Sequence, residues 1–508
     1  MTQSSAPCFT AWLDEFFESY YARRPVNASF IGMHTFDDQL PDLSDSGLDE
    51  TNSLIDRLQS LPDEPLTPYE TLDRALAEGF LHIQRWELDS PHFAHNNPTL
   101  FTGEAIFGVV SLLLRSGLPF EERLRSAAAR IAQIPDFLAI ATQRLESAPS
   151  AWIARARREC AGAQLLFQDL HQPRAEHAFA RFGTFLETSL RATDMYACGA
   201  EAFALLLREG HFLDMSVDSL EQLAVQRLNS VDPVRVSSPP PTPDDAYLTR
   251  FQSTWRAALA AHRHLLSIPD WPVRYTYLPD WAQRAAPYLY FLPYRSPPPL
   301  DLPPEVEYYA PLGADAATIK LNHVIHHGSV GHHVQNWHAA RAASRIGRVA
   351  AVDCASRVAM LCGGTLAEGW ACYSTDLANE AGFLTPMERD MQHQTERRMA
   401  ARTLVDIRLH HGQLSLEQAA SFYVENVGMS ATAAGAEAVK NSLFPGTACM
   451  YLAGWEAIRN LRRELESRRL AGFSLREFHD HLLSFGSVPV SLIGRAMHAE
   501  TQPAIATA

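Results

Sequence analysis

Two tetrapeptides, Thr67-Pro68-Tyr69-Glu70 and Thr385-Pro386-Met387-Glu388, leave the backbone little choice. In each, the threonine hydroxyl can accept from the third helical N–H and the glutamate can reach back to the threonine N–H. Proline fills a first-turn position whose N–H needs no partner. Ser415-Leu416-Glu417-Gln418 and Ser474-Leu475-Arg476-Glu477 repeat the capping-box pattern, the last with Phe473 and Phe478 at staple spacing. Leu124, Ile131, Ile134 and Leu138 form one stripe of helical period, and Trp455, Ile458, Leu461 and Leu465 form another. Alternating strand patterns are few, the best being Val273 to Leu278. The chain therefore reads as mainly α with few short strands.

At 508 residues it can bury a large core or several. The proline-rich run Ser237 to Pro243 cannot lie inside a helix. It divides an N-terminal helical half, 1–236, from a C-terminal half, 244–508, with 237–243 as connector; the halves are allowed to share one continuous domain. A second proline-rich stretch spans Ser296 to Pro304. The net charge of −15, without a basic block, argues against nucleic-acid binding. No apolar run is long enough to span a membrane, and the N-terminus lacks the pattern of a secretory signal. Seven scattered cysteines without a C-x-x-C suit free thiols in the cytoplasm.

Chemistry concentrates in His323 to Gln335, HVIHHGSVGHHVQ, with five histidines in eleven residues. Neutral imidazole is the commonest metal-binding side chain. On a regular helix His323 and His327 share a face at i, i+4. Gly328 and Gly331 make a regular helix doubtful, and a bulge or break would bring His326 and His332 to one ion instead. Spacing alone leaves both pairs standing. The carboxylate expected to join them is Glu368 in GGTLAEGWACY, although Thr365 and Glu368 also have capping-box spacing.

Six segments together resemble the bacterial zincin-like family catalogued as domain of unknown function 885. YYARRPVNASFIGMHTFDDQLPDLS is similar to its opening signature, and HHGSVGHHVQ to its H-E-x-x-P-G-H-H-x-Q. EGWACY matches E-G-W-A-x-Y, and RTLVDIRLH falls on a family helix of similar pattern. PGTACMYLAG resembles P-G-Q-A-x-x-Y-x-x-G, and FHDHLLSFGSVP the closing F-H-D-x-L-L-x-x-G-x-x-P. The resemblance runs over nearly the whole chain. It implies a large zincin-like helical fold with an active-site cleft, and one divalent metal on His326, His332 and Glu368. His333 is the near alternative to His332.

The chain departs from the pattern where catalysis is concerned. The family glutamate after the first ligand is His327, the proline is Val330, and the glutamine of P-G-Q-A is Thr447. In a zincin that glutamate takes a proton from the attacking water. The leading expectation is a hydrolase of a small amide, short-peptide or ester substrate, with Zn²⁺, His327 in place of the base, and Tyr451 donating to the oxyanion. The same donors describe the facial triad of Fe²⁺ oxygenases, which is the second expectation. A catalytically silent member, with His327 closing the metal site, is the third. A homodimer is the candidate assembly.

Other polar residues carry plainer readings as well. Arg408 is the candidate to hold a substrate carboxylate. Asp406 and His410, at i, i+4, make either a structural pair or a support for a ligand. His479 and Asp480 orient the last helices, and Glu437 with Lys440 reads as a solvated pair. The aromatics from Tyr275 to Tyr309, including Tyr288, Tyr290, Phe291 and Tyr294, read as packing for a loop or lining for a cleft.

Overall fold

The computed structural model describes residues 8–114, 118–231, 244–268, 270–285, 305–349, 363–469 and 472–501. The connector at 237–243, the stretch 296–304, Tyr288, Tyr290, Phe291, Tyr294, Cys354 and Cys362 lie outside them.

Helices dominate, and the predicted starts are where the caps form. Thr67 and Thr385 close complete capping boxes with Glu70 and Glu388, and Ser415 does so with Gln418. Ser474 caps the helix Leu475–Ser484 by accepting from the Glu477 N–H, and Phe473 packs on Phe478 with ring centroids 5.9 Å apart. Trp455, Ile458, Leu461 and Leu465 are all buried, as are Ile131, Ile134 and Leu138. Leu124 is exposed, and so is Phe120, so the first turns of Phe120–Arg144 stand clear of the core.

Strand content is limited to two parallel pairs among the described residues. Ser147–Pro149 pairs with Arg191–Thr193, and Val273–Thr276 with Val306–Tyr309 in the register Val273↔Val306.

The main hydrophobic cluster runs from Phe9 to Met497 and takes residues from both sides of 237–243. A smaller cluster, with Tyr247, Phe251, Val273, Tyr275, Tyr308, Ile319 and Val324, lies behind the histidine segment. Tyr275 and Tyr308 are therefore core residues.

The opening signature builds a structural knot. Arg130 is fully buried and donates to the carbonyls of Gln39, Gly108, Pro25 and Phe36 and to Ser29 Oγ. A guanidinium can satisfy that many acceptors at once because its five donors are fixed in a plane.

Candidate metal centre

The histidine segment is a helix that widens and then breaks. Asp315 caps its start, accepting from the Thr318 N–H at 2.7 Å. Residues Ile319–Ser329 take π-helical turns, a form often found at functional sites. Gly328 leaves the helical region at φ −100°, ψ −122°, and Gly331 does the same at φ −84°, ψ −122°. The Gly331 N–H donates back to the Ile325 carbonyl at 2.9 Å, a six-residue step that no regular helix makes. A new helix, His332–Ala339, then begins. Only glycine fits at 331, since a Cβ there would lie 1.8 Å from the His326 carbonyl oxygen.

This break brings together residues that helical spacing would separate. The Nε2 atoms of His326 and His332 lie 3.5 Å and 3.4 Å from the same Glu368 oxygen, Oε2. One ring nitrogen from each of His326, His327 and His332 lies within 4.8 Å of the others. Two donors each about 2.0–2.1 Å from a tetrahedral ion stand roughly 3.3 Å apart. The carboxylate-to-imidazole spacings are of that size. Glu368 Oε2 is buried and makes no well-formed hydrogen bond, and neither does His332 Nδ1. Two imidazoles and one carboxylate in this arrangement fit a divalent ion.

The other two histidines turn away. His333 Nε2 is hydrogen-bonded to the Trp271 carbonyl at 2.9 Å and its ring stacks on Trp271. His323 Nδ1 meets the Tyr308 hydroxyl at 2.8 Å.

Electrostatics favour the metal-binding protonation state. Burial lowers His326, and lowers His327 well below the ordinary imidazole value, with the neighbouring imidazoles adding to the effect on both. Burial would raise Glu368, but the imidazoles of His332 and His326 outweigh it and hold the carboxyl well below its usual range. A neutral His326 beside an ionised Glu368 is the protonation state in which these two donors bind a divalent ion.

Glu368 is free for this role because it does not cap its helix. Gly363, at φ +82°, stands at the N-cap of Gly364–Glu380, and Thr365 Oγ1 instead accepts from the Val490 N–H. Two further motif residues fix the geometry. Trp370 Nε1 donates to the Val330 carbonyl, inside the break, at 2.9 Å. Gly369 meets Gly454 where the helices Gly364–Glu380 and Cys449–Arg469 cross, and a Cβ on Gly454 would lie 1.9 Å from the Thr365 carbonyl oxygen. Trp370→Phe is expected to keep the fold, lower stability by about 1–3 kcal/mol through the orphaned carbonyl, and weaken metal binding roughly tenfold. Thermal melting and a metal titration measure the two effects.

Tyr451, half-buried on the crossing helix, has the Arg402 guanidinium 5.3 Å from its ring centroid. Arg408 is not brought to the cluster. Its Nε binds Glu221 at 2.8 Å, and six residues of helix turn it to a different face from Arg402. Glu437 is no solvated partner of Lys440; it pairs with Arg402 at 2.7 Å. Arg402 opens the RTLVDIRLH segment, but its partner Glu437 lies 35 residues further on, so no local pattern marks the pair.

Asp406 and His410 do pair, 3.6 Å apart and fully buried. Asp406 accepts from the Gly446 and Ala448 N–H groups, and burial pushes its carboxyl up to about 7. Asp406 thus holds the turn that starts the Tyr451 helix, while His410 Nε2 is hydrogen-bonded to the Asn441 carbonyl. His479 joins the Tyr373 hydroxyl to the Leu265 carbonyl, and Asp480 accepts from Ser267. Gln335 donates to Ser487 Oγ, tying the histidine segment to the closing motif. A larger cavity of about 550 Å³, lined by His82, Arg85, Trp86, Arg208 and Glu209 among others, shares no residue with the histidine cluster.

The chain belongs to the family of bacterial proteins of unknown function DUF885, which it matches over residues 239–497. That match contains the histidine cluster, Glu368 and Tyr451, and begins after the opening signature. The fold extends further. A candidate lipoprotein of unknown function from Shewanella oneidensis superposes with a TM-score of 0.72 at 18% identity, covering 97% of this chain and 100% of its own. A second candidate lipoprotein, from Colwellia psychrerythraea, gives a TM-score of 0.77 at 16% identity, covering 97% and 98%. No curated protein matches the chain. Among the described residues, no helix is long and apolar enough to cross a membrane.

Proposed function

We propose that the protein is a zincin-like metallohydrolase acting on a small amide, short-peptide or ester substrate. One observation carries the reading: a single oxygen of Glu368 faces the Nε2 atoms of both His326 and His332 across a break that only glycine permits. These three residues would hold Zn²⁺, which supplies Lewis acidity toward a carbonyl and toward water. His327, placed among the ligand imidazoles, offers a neutral ring nitrogen to accept and orient a water proton. Its depressed basicity makes it a weaker base than an ordinary imidazole. Tyr451 is the oxyanion donor in this reading, held in place by Arg402 and by the turn that Asp406 secures.

His327→Ala is expected to keep one equivalent of zinc and to lose at least about 100-fold in kcat/KM. The substrates would be N-acyl dipeptides and aryl esters. Loss of the metal would make His327 a ligand, and unchanged turnover would remove it from the mechanism.

One feature favours a second reading. Two histidines and one carboxylate with histidine where the acid base should stand also suit an Fe²⁺ oxygenase. Iron in the purified protein and oxygen uptake would select it. As to location, the free thiols of Cys8, Cys160, Cys198, Cys372 and Cys449 support the cytoplasm. The names of both structural neighbours point outside it, and fractionation of cells expressing the full chain decides between the two.

A further inference from the structure

The helix Pro386–His410 carries Arg398 and Arg402 four residues apart, so both guanidiniums lie on one face. Arg402 faces a narrow cleft lined also by Glu437, Lys440, Thr447 and Tyr451. Glu437 binds Arg402 Nε side-on, which leaves most of the guanidinium's five donors for other acceptors. Arg398 is exposed, and among the described residues it makes no hydrogen bond or ion pair. Lys440 is exposed as well. Three cations thus surround one carboxylate, in a chain whose net charge is −15.

The cleft adjoins the metal centre. Tyr451 lies one turn before Gly454, the residue that touches the Glu368 helix at Thr365 and Gly369. A cationic patch beside a metal site is not needed to balance the chain's own charge, because Glu437 neutralises only one of the three cations. Planar guanidiniums recognise carboxylates by paired hydrogen bonds.

The geometry points to an anion subsite at Arg398 and Arg402 that takes the free α-carboxylate of the substrate. The substrate class becomes a short peptide or N-acyl amino acid, with its terminal carboxylate on the arginines and its amide toward the histidines. The assignment of an amide rests on the metallohydrolase reading; the anion subsite does not.

The test uses the full chain treated with a chelator, so that no metal can bind the probe. Hippurate and its neutral analogue hippuramide are titrated calorimetrically into the wild type, Arg398→Gln and Arg398→Lys. Hippurate is expected to bind at least about tenfold more tightly than hippuramide. That preference should fall to about twofold or less in Arg398→Gln and return in part in Arg398→Lys, with melting temperatures unchanged. Equal affinities in the wild type, no binding of either probe, or a preference retained by Arg398→Gln would each overturn the subsite. Failure of the metal reading would instead appear as a wild type that takes up no zinc, whatever the hippurate result.

Discussion

Between pH 6 and pH 4 the protein is expected to unfold cooperatively. The cause is a set of buried histidines that are not among the metal centre's donors. Burial lowers His92, His211 and His479 to about 4, each against a weaker opposing hydrogen bond to a carbonyl. Burial lowers His410 to about 3, and His92, whose ring centroid is 5.6 Å away, lowers it further. A folded-state value below the unfolded one means that the unfolded chain binds more protons in this window. Stability therefore falls as pH falls from 6.5 toward the folded values. Each group costs on the order of 3 kcal/mol across its shift. Four such groups exceed most of the 5–15 kcal/mol that typically holds a protein folded. Asp406, whose carboxyl is raised by burial to about 7, acts in the opposite sense, and so do the raised carboxyls of Asp73, Glu87 and Asp376. His262 and His338, lowered by burial, and Glu437, held against burial below its usual range by Arg402, add to the loss on acidification. Circular dichroism and tryptophan fluorescence across pH 7.5 to 3.5 measure the transition, and a folded protein at pH 4 would contradict the expectation.

Gly331→Ala is expected to abolish metal binding while the helices remain. The added Cβ would lie 1.8 Å from the His326 carbonyl oxygen and 2.5 Å from that of Ile325. Both are backbone atoms on the segment that carries a ligand, so no side-chain rotation relieves the clash. The break must open, and His332 then leaves the position from which it shares Glu368 with His326. Loss of shared coordination should cost at least about 100-fold in zinc affinity. Gly435→Ala is the matched control. That glycine lies in the helix Ala431–Leu443 with nothing within 4 Å of an added Cβ. It should gain about 0.5–1 kcal/mol in stability and leave metal binding alone. Competition titration with a chromophoric chelator and thermal melting separate the two outcomes. Zinc binding in Gly331→Ala equal to wild type would mean that the break is not what assembles the site.

Local signals in the sequence were sufficient for the helix starts, and they raised a break in the histidine segment as one of two possibilities. Thr67, Thr385 and Ser415 cap as their spacing requires because a capping box closes within four residues. The glycines at 328 and 331 mark where regular turns end for the same local reason. Which histidines converge was not local. His323 and His327 have the better helical spacing, yet Tyr308, from a distant strand, holds His323. His333 was distinguishable from His332 only through Trp271. Charge pairing between helices was the least legible. Arg408 and Arg402 share one short segment, and only the placement of Glu221 and Glu437 decides which one faces the cleft. The opening signature also reads differently in three dimensions, since its backbone carbonyls wrap Arg130, a residue outside the signature.

The central claim is that His326, His332 and Glu368 hold one divalent ion. It is tested most directly by elemental analysis of protein purified anaerobically without added metal, beside His326→Ala prepared in the same way. The account predicts one equivalent of zinc in the wild type and about none in the variant. Wild-type protein that carries neither zinc nor iron, and takes up neither when supplied, would contradict it.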